Sequence, residues 1–68
     1  MKVTIRRSDA GKLMAYILKK DLEEEIVEQI EDNNGEILVL ANGFRLLSNR
    51  RMADLKVPIT LELKKLND

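Results

Sequence analysis

The sequence predicts a small β-rich protein. Apolar residues alternate with polar ones in short runs, and turn signals containing glycine or asparagine separate those runs. A length of 68 residues allows one domain, over residues 1–68, and its core residues are almost all Leu, Ile and Val. With no cysteine there is no disulfide, so an aliphatic core or self-association must stabilise the chain.

The first two strands are predicted to form a hairpin. Val3 and Ile5 alternate with polar neighbours, as in a half-buried strand. Residues 8–11 then supply a turn that contains Gly11, and residues 13–18 return as the second strand.

A second hairpin is predicted around Asn42 and Gly43. Residues 35–41 are nearly all aliphatic, which is typical of a strand covered on both faces. Asn-Gly favours a type I′ turn, which needs positive φ at both central residues, so residues 44–47 return antiparallel. We assign Asn42 and Gly43 to turn geometry and Phe44 to the core.

The end of the chain predicts one more strand. Pro58 can open it, because its missing N–H matters least there, and Ile59, Leu61 and Leu63 then alternate with polar residues. Residues 47–57 have no clear period and are predicted to form a loop with one helical turn.

Residues 21–32 leave two interpretations open. Leu22, Ile26 and Ile30 recur every four residues in an acidic segment, which favours an amphipathic helix. Ile26, Glu28 and Ile30 also alternate as a strand would. From the residues alone, an α+β domain with a helix at 21–31 is therefore the alternative to an all-β fold.

Catalytic chemistry has little support in this sequence. It contains no histidine and no cysteine, the residues that most often ligate metals, act as nucleophiles or transfer protons near neutral pH. Its three glycines are isolated at turns, so no phosphate-binding loop is present. We predict a protein that is not an enzyme, with no catalytic residue, metal or cofactor. Without a secretion signal or a long apolar run, it is expected in the cytoplasm.

The charges are sorted along a chain whose net charge is zero. Residues 1–20 hold six basic residues and one acid, residues 21–36 hold eight acids and no base, and residues 37–68 hold six bases and three acids. This sorting favours either docking of a charged partner or neutralisation between neighbouring strands.

One resemblance suggests binding to DNA. Residues 1–43 resemble the swapped-hairpin DNA-binding domains of antitoxins and transition-state regulators, with a short helix over residues 20–30. Neutral charge and the acidic block argue against nucleic acid as a partner, so this remains the alternative function.

A second resemblance covers almost the whole chain. Its motifs are Met-Lys-Val at 1–3, Lys-Lys-Asp-Leu-Glu-Glu at 19–24, Leu-Ala-Asn-Gly-Phe-Arg-Leu at 40–46, Pro-Ile-Thr at 58–60 and Lys-Lys-Leu at 64–66. In this order and spacing the chain resembles the NifT/FixU family of small bacterial nitrogen-fixation proteins.

The resemblance implies a small antiparallel barrel-like domain of about five to six short strands. It also implies a non-catalytic accessory protein that assists nitrogenase maturation or cofactor assembly through contacts with nitrogenase components or their assembly proteins. It favours a strand over residues 23–31, in which Val27 faces opposite to Ile26 and Ile30. No membrane partner is expected, and an oligomer is possible.

Polar positions shared with the family are the candidate partner contacts. They are Lys19, Lys20, Asp21, Glu23, Glu24 and Arg45. A solvated turn explains the run at 19–24 equally well. Because iron-sulfur and related clusters are usually held by Cys thiolates, we expect the chain to act through protein surfaces and not to ligate clusters.

Overall fold

The computed structural model of the protein describes residues 1–66 and has seven antiparallel strands. They are β1 (Lys2–Arg7), β2 (Leu13–Ile17), β3 (Leu22–Asp32), β4 (Gly35–Leu40), β5 (Arg45–Ser48), β6 (Ile59–Glu62) and β7 (Lys64–Lys65). Two 3₁₀ turns, Leu18–Lys20 and Met52–Asp54, connect them. The all-β prediction is confirmed, with seven strands in place of the five to six expected.

The strands form a nearly closed barrel in the order β6-β1-β2-β3-β4-β5-β7. The first half of β3 pairs with β2, and its second half pairs with β4. This gives a first sheet of β6, β1, β2 and the start of β3, and a second sheet of the rest of β3 with β4, β5 and β7. Strand β3 therefore belongs to both sheets.

The end of the chain closes the other side of the barrel. Strand β6 pairs with β1 and β7 pairs with β5, and Leu63 alone separates β6 from β7. The Leu63 N–H donates to the Met1 carbonyl at 2.8 Å, and its carbonyl accepts from the Met1 ammonium at 2.7 Å. One segment thus bridges the two outer strands.

The core is aliphatic, as the composition predicts. Its buried side chains come from both sheets and from the second 3₁₀ turn: Val3, Ile5, Ala15, Ile17, Ile26, Leu38, Leu40, Leu46, Met52 and Leu63. Phe44 is half-buried and packs against this core, in agreement with its assignment.

The segment at 21–31 is a strand, so the helical alternative is wrong. Leu22 lies opposite Ile17 in β2, and Ile30 lies opposite Ile37 in β4. Two neighbouring strands satisfy the backbone of this segment, and such tertiary context overrides helix propensity. The helix at 20–30 that the swapped-hairpin DNA-binding fold requires is absent from this described segment, which removes the support for that alternative.

A β-bulge at Val27 divides β3. Ile26 lies opposite Leu40 while Glu28 lies opposite Val39, which leaves Val27 as the extra residue. Val27 is 55% exposed and Ile26 is buried, so these two face opposite ways as expected. The bulge shifts the alternation by one residue, however, and Ile30 therefore lies on the outer face rather than beside Ile26.

The turn at Asn42-Gly43 differs from the predicted type I′ geometry. In this fully described loop only Gly43 has positive φ, at +93°. The Gly43 N–H donates to the Leu40 carbonyl at 2.9 Å, and Asn42 Oδ1 accepts from the Phe44 N–H at 3.0 Å. This is the three-residue hairpin loop with glycine at its last position. Both residues do serve turn geometry, as predicted.

Strand β4 is not covered equally on its two faces. Leu38 and Leu40 are buried, whereas Ile37 and Val39 on the opposite face are half-buried.

Within residues 1–66, no helix is long and apolar enough to cross a membrane.

Candidate partner-binding surface

The six predicted contact residues lie on different parts of the barrel. Lys19 and Lys20 are exposed on the first 3₁₀ turn. Asp21 ends that turn, and Glu23 lies near the start of β3 on the outer face of the first sheet. Arg45 is exposed on the outer face of the second sheet, opposite Val39. The structure therefore does not gather them into one site.

Asp21 has a local structural role. It ends the first 3₁₀ turn in the left-handed conformation, with φ 48° and ψ 48°. Its Oδ1 atom accepts a hydrogen bond from the Tyr16 hydroxyl. This hydrogen bond to Asp21 raises the pKa of Tyr16 above its ordinary value, because the neutral phenol is the donor.

Glu23 forms a two-point ion pair with Arg6, across β2. The Arg6 Nε and Nη2 atoms donate to its two carboxylate oxygens at 2.7 and 2.9 Å. The hydrogen bonds from Arg6 hold the pKa of Glu23 below its ordinary value. Glu23 is thus engaged within the chain.

The ion pair predicts a pH dependence of stability. Since the folded-state pKa of Glu23 is lowered, the unfolded state takes up the proton first as the pH falls, so the stabilisation is present near neutral pH and is lost in the acid range. We expect Glu23→Gln to lower the urea midpoint slightly at pH 7, and this difference from the wild-type chain should shrink as the pH falls through the acid range. Urea unfolding of both proteins at pH 7 and at an acid pH measures this.

The control for this experiment is Glu28→Gln, which changes an exposed carboxylate on the same strand. Its effect on the urea midpoint should not follow the pattern of Glu23→Gln. An equal loss for Glu23→Gln at both pH values would contradict the role of the charged pair.

Glu24 occupies an unusual position for a carboxylate. It lies opposite the fully buried Ala15, on the same face of β3 as Leu22 and Ile26, and is half-buried. A side chain on the core face near the end of a strand reaches water only at the rim of the barrel. Glu24 is therefore less accessible to a partner than the sequence suggests.

A basic and aromatic cluster does form at one end of the barrel. The Lys65 ammonium lies 4.2 Å from the centroid of the Phe44 ring, and the Lys20 ammonium lies 5.6 Å from the same centroid. Both distances are within the range of cation–π attraction. We call Lys20, Phe44 and Lys65 the Phe44 corner.

The Phe44 corner is built by three separate elements. The first 3₁₀ turn carries Lys20, the loop before β5 carries Phe44, and Lys65 lies in β7 opposite Leu46. Sequence analysis selected Lys20 but not Lys65. The family-like motif at 64–66 was the available signal for Lys65, since no pattern of the residues placed it near Phe44.

The acidic block of the sequence is partly neutralised between elements. Glu23 pairs with Arg6, and Glu25 Oε1 lies 3.9 Å from the Lys12 Nζ atom. Glu31 lies 2.9 Å from Arg51. These pairs support the interpretation that oppositely charged segments neutralise each other in the folded chain.

The fold and this surface define a small antiparallel β-barrel protein with a basic and aromatic corner. The family model for "NifT/FixU protein" matches residues 1–63. The chain belongs to the NifT/FixU family, and it is therefore a protein associated with nitrogen fixation.

Similar proteins occur in rhizobia. The chain is 47% identical to the "Protein FixU homolog" of Sinorhizobium fredii, over 97% of this chain and 87% of that protein. It is 39% identical to "Protein FixU" of Rhizobium leguminosarum bv. trifolii, over 100% of this chain and 97% of that protein. It is also 42% identical to "Protein MosB" of Rhizobium meliloti, over 97% of this chain but only 13% of that protein. The same domain thus also occurs within a much longer chain.

Proposed function

We propose that this protein is a non-catalytic accessory protein of nitrogen fixation that binds a nitrogenase component or an assembly protein and assists nitrogenase maturation. Membership of the NifT/FixU family supports the pathway. The Phe44 corner supports the mode of action, which is binding of a carboxylate-bearing protein surface.

The observation that carries this proposal is the presence of two ammonium groups over one aromatic ring. Lys20 and Lys65 have the same charge, and Phe44 attracts both. Their mutual repulsion is relieved when an anion lies between them. A partner with Asp or Glu side chains beside an apolar residue therefore fits the corner, because the ring supplies an apolar contact and the lysines supply the charges.

The test compares two variants with the same change in charge. Lys20→Glu with Lys65→Glu reverses both charges over Phe44. Lys2→Glu with Lys56→Glu reverses two exposed lysines elsewhere, one in β1 and one in the loop before β6. Binding to purified nitrogenase components and assembly proteins is measured by biolayer interferometry at several salt concentrations.

We expect the corner variant to bind at least tenfold more weakly, a loss of about 1.4 kcal/mol. The control variant should bind within about threefold of the wild-type chain, and wild-type binding should weaken as salt screens the charges. Equal losses for the two variants would contradict the corner as the contact. Absence of binding to every component tested would contradict the accessory function.

We also propose that the protein is not an enzyme and carries no metal or cluster. The absence of histidine and cysteine from the sequence supports this. Stoichiometric iron or molybdenum in the purified protein would contradict it. The cytoplasmic location expected from the sequence stays a prediction.

A further inference from the structure

The sequence contains two Asn-Gly pairs, and both lie at hairpin turns. Asn34 ends the turn between β3 and β4, where Gly35 begins β4, and Asn42 and Gly43 lie in the loop between β4 and β5. Asparagine is a thermolabile residue, and a following glycine leaves its own backbone nitrogen unshielded because it has no Cβ atom. The two pairs therefore offer the same covalent chemistry in different surroundings.

The reaction is deamidation through a cyclic imide. The glycine nitrogen attacks Cγ of the asparagine side chain, the new bond closes a succinimide ring, and the bond from Cγ to Nδ2 breaks. The proton of the glycine nitrogen leaves with the amide group as ammonia. Water then adds to one of the two ring carbonyls and reopens the ring, which restores the N–H. Opening at Cγ gives aspartate, and opening at the backbone carbonyl gives isoaspartate. Water is the co-reactant, and nothing is oxidised or reduced.

The fold restrains both reacting groups at Asn42. The Gly43 nitrogen, which is the nucleophile, donates its N–H to the Leu40 carbonyl at 2.9 Å. The Asn42 Oδ1 atom, on the group to be attacked, accepts from the Phe44 N–H at 3.0 Å. Attack requires the side chain to turn and the nitrogen to give up its proton, so both hydrogen bonds oppose it.

Asn34 lacks this restraint on its side chain. It is exposed, and its side-chain amide makes no hydrogen bond within residues 1–66. Its backbone N–H donates to Asp32 Oδ2 at 3.1 Å, which leaves the amide free to turn toward Gly35. Gly35 lies opposite Asp32 in the last pair of the β3–β4 ladder. Pairs at the end of a ladder open more easily than pairs inside it.

The surroundings of Asn34 accept a new negative charge. Asn34 lines an open cleft of about 580 Å³, together with two acids, Asp32 and Asp54, and two bases, Arg50 and Arg51. Because the cleft is open, water reaches the imide. The charges in its lining balance in number, and the exposed Arg50 can stabilise the oxyanion that forms during attack and the carboxylate that remains.

We propose that Asn34 is a site of spontaneous deamidation in the folded protein, and that the loop around Asn42 protects the second Asn-Gly pair from the same reaction. The proposal is independent of the partner that binds the Phe44 corner, because it concerns the opposite end of β4.

The two products have different effects on the fold. Aspartate at position 34 changes only a charge. Isoaspartate also inserts a methylene group into the main chain immediately before Gly35, where β4 passes close to the backbone of Ser48. We therefore expect the isoaspartate form to have a lower urea midpoint than the aspartate form.

Incubation of the full chain at neutral and mildly alkaline pH tests the site. Ammonia release and peptide mapping by mass spectrometry follow both positions, in buffer and in unfolding urea. In the folded chain Asn34 should convert at least about tenfold faster than Asn42, because two hydrogen bonds must break at Asn42. The rate should rise with pH, since the attacking nitrogen must lose its proton. In urea the two positions should react within about threefold of each other.

Two matched variants assign the reaction. Asn34→Gln should remove the fast release of ammonia from the folded chain, because the longer side chain closes a ring more slowly, whereas Asn42→Gln should leave it unchanged. Incubation continues until the urea-unfolded chain has reacted at both positions. An Asn34 that is still intact in the folded chain at that time overturns the proposal. Equal rates at the two positions in the folded chain, or faster conversion of Asn42, overturn it as well.

Discussion

Gly35→Ala is expected to remove a large part of the protein's stability and to lower its urea midpoint strongly. Gly35 begins β4 at φ +143°, a region that residues with a side chain rarely adopt. A Cβ atom there would lie 2.0 Å from the Ser48 carbonyl oxygen and 2.8 Å from Asn49 Cα. Both contacts are with backbone, so β4 and β5 would have to separate.

The expected loss is at least about 3 kcal/mol, from backbone strain together with the broken β4–β5 contact. A chain of 68 residues has a total stability of roughly 3 to 10 kcal/mol. Urea unfolding followed by circular dichroism measures the difference. If Gly35→Ala retained the wild-type urea midpoint, the close approach of the two backbones would be disproved.

Gly11→Ala is the matched control. Gly11 also has positive φ, at +81°, but a Cβ atom there would meet nothing within 4 Å. Its cost should therefore be the backbone strain alone, about 1 kcal/mol. The difference between the two variants isolates the steric clash against Ser48 and Asn49.

Gly35 also shows what a turn signal in the sequence can and cannot predict. Asn-Asn-Gly at residues 33–35 is typical of a turn, and the structure has the reversal there, with Asp32 opposite Gly35. The steric clash between a Cβ atom at position 35 and the Ser48 carbonyl oxygen, however, depends on the path of the backbone at the end of β5, thirteen positions later. A local signal predicts the turn and cannot predict a contact between distant backbones.

Alternation predicted most strands for a clear physical reason. Val3 and Ile5 in β1 and Ile59 and Leu61 in β6 pack on the core at every second position with polar residues between them, so period two is visible in the sequence. Alternation failed in β3, where the bulge at Val27 inverts the faces, because nothing in that acidic segment marks the extra residue.

The candidate surface was predictable only in part. Lys20 was selected for its family-like motif, and the structure places it over Phe44. Lys65 reaches the same ring because β7 pairs with β5. That pairing requires the last segment to cross from one sheet to the other, which a single sequence does not reveal. Residues far apart in sequence meet here through closure of the barrel.

Leu63→Ala tests that closure and is expected to have the second large effect. Leu63 is 3% exposed, joins β6 to β7, and exchanges two hydrogen bonds with Met1. Truncating a buried Leu costs about 2 to 5 kcal/mol, because it removes apolar burial and leaves a cavity. Here the cavity lies where one segment holds both outer strands. We therefore expect the loss in the free energy of unfolding to lie toward the upper end of that range.

Hydrogen exchange distinguishes opening of the barrel from general destabilisation. In Leu63→Ala the amides of Leu63 and Leu66, which bond to Met1 and Arg45, should lose more protection than those pairing β2 with β3. Leu18→Ala provides the control, since the same truncation at a residue 44% exposed should change stability by less than about 0.5 kcal/mol. Uniform loss of protection over all strands would contradict a separate closing step. Loss of protection confined to the last segment would show that the rest of the sheet persists when the barrel opens. The connection at Leu63 between β6 and β7 would then be the least stable part of the barrel.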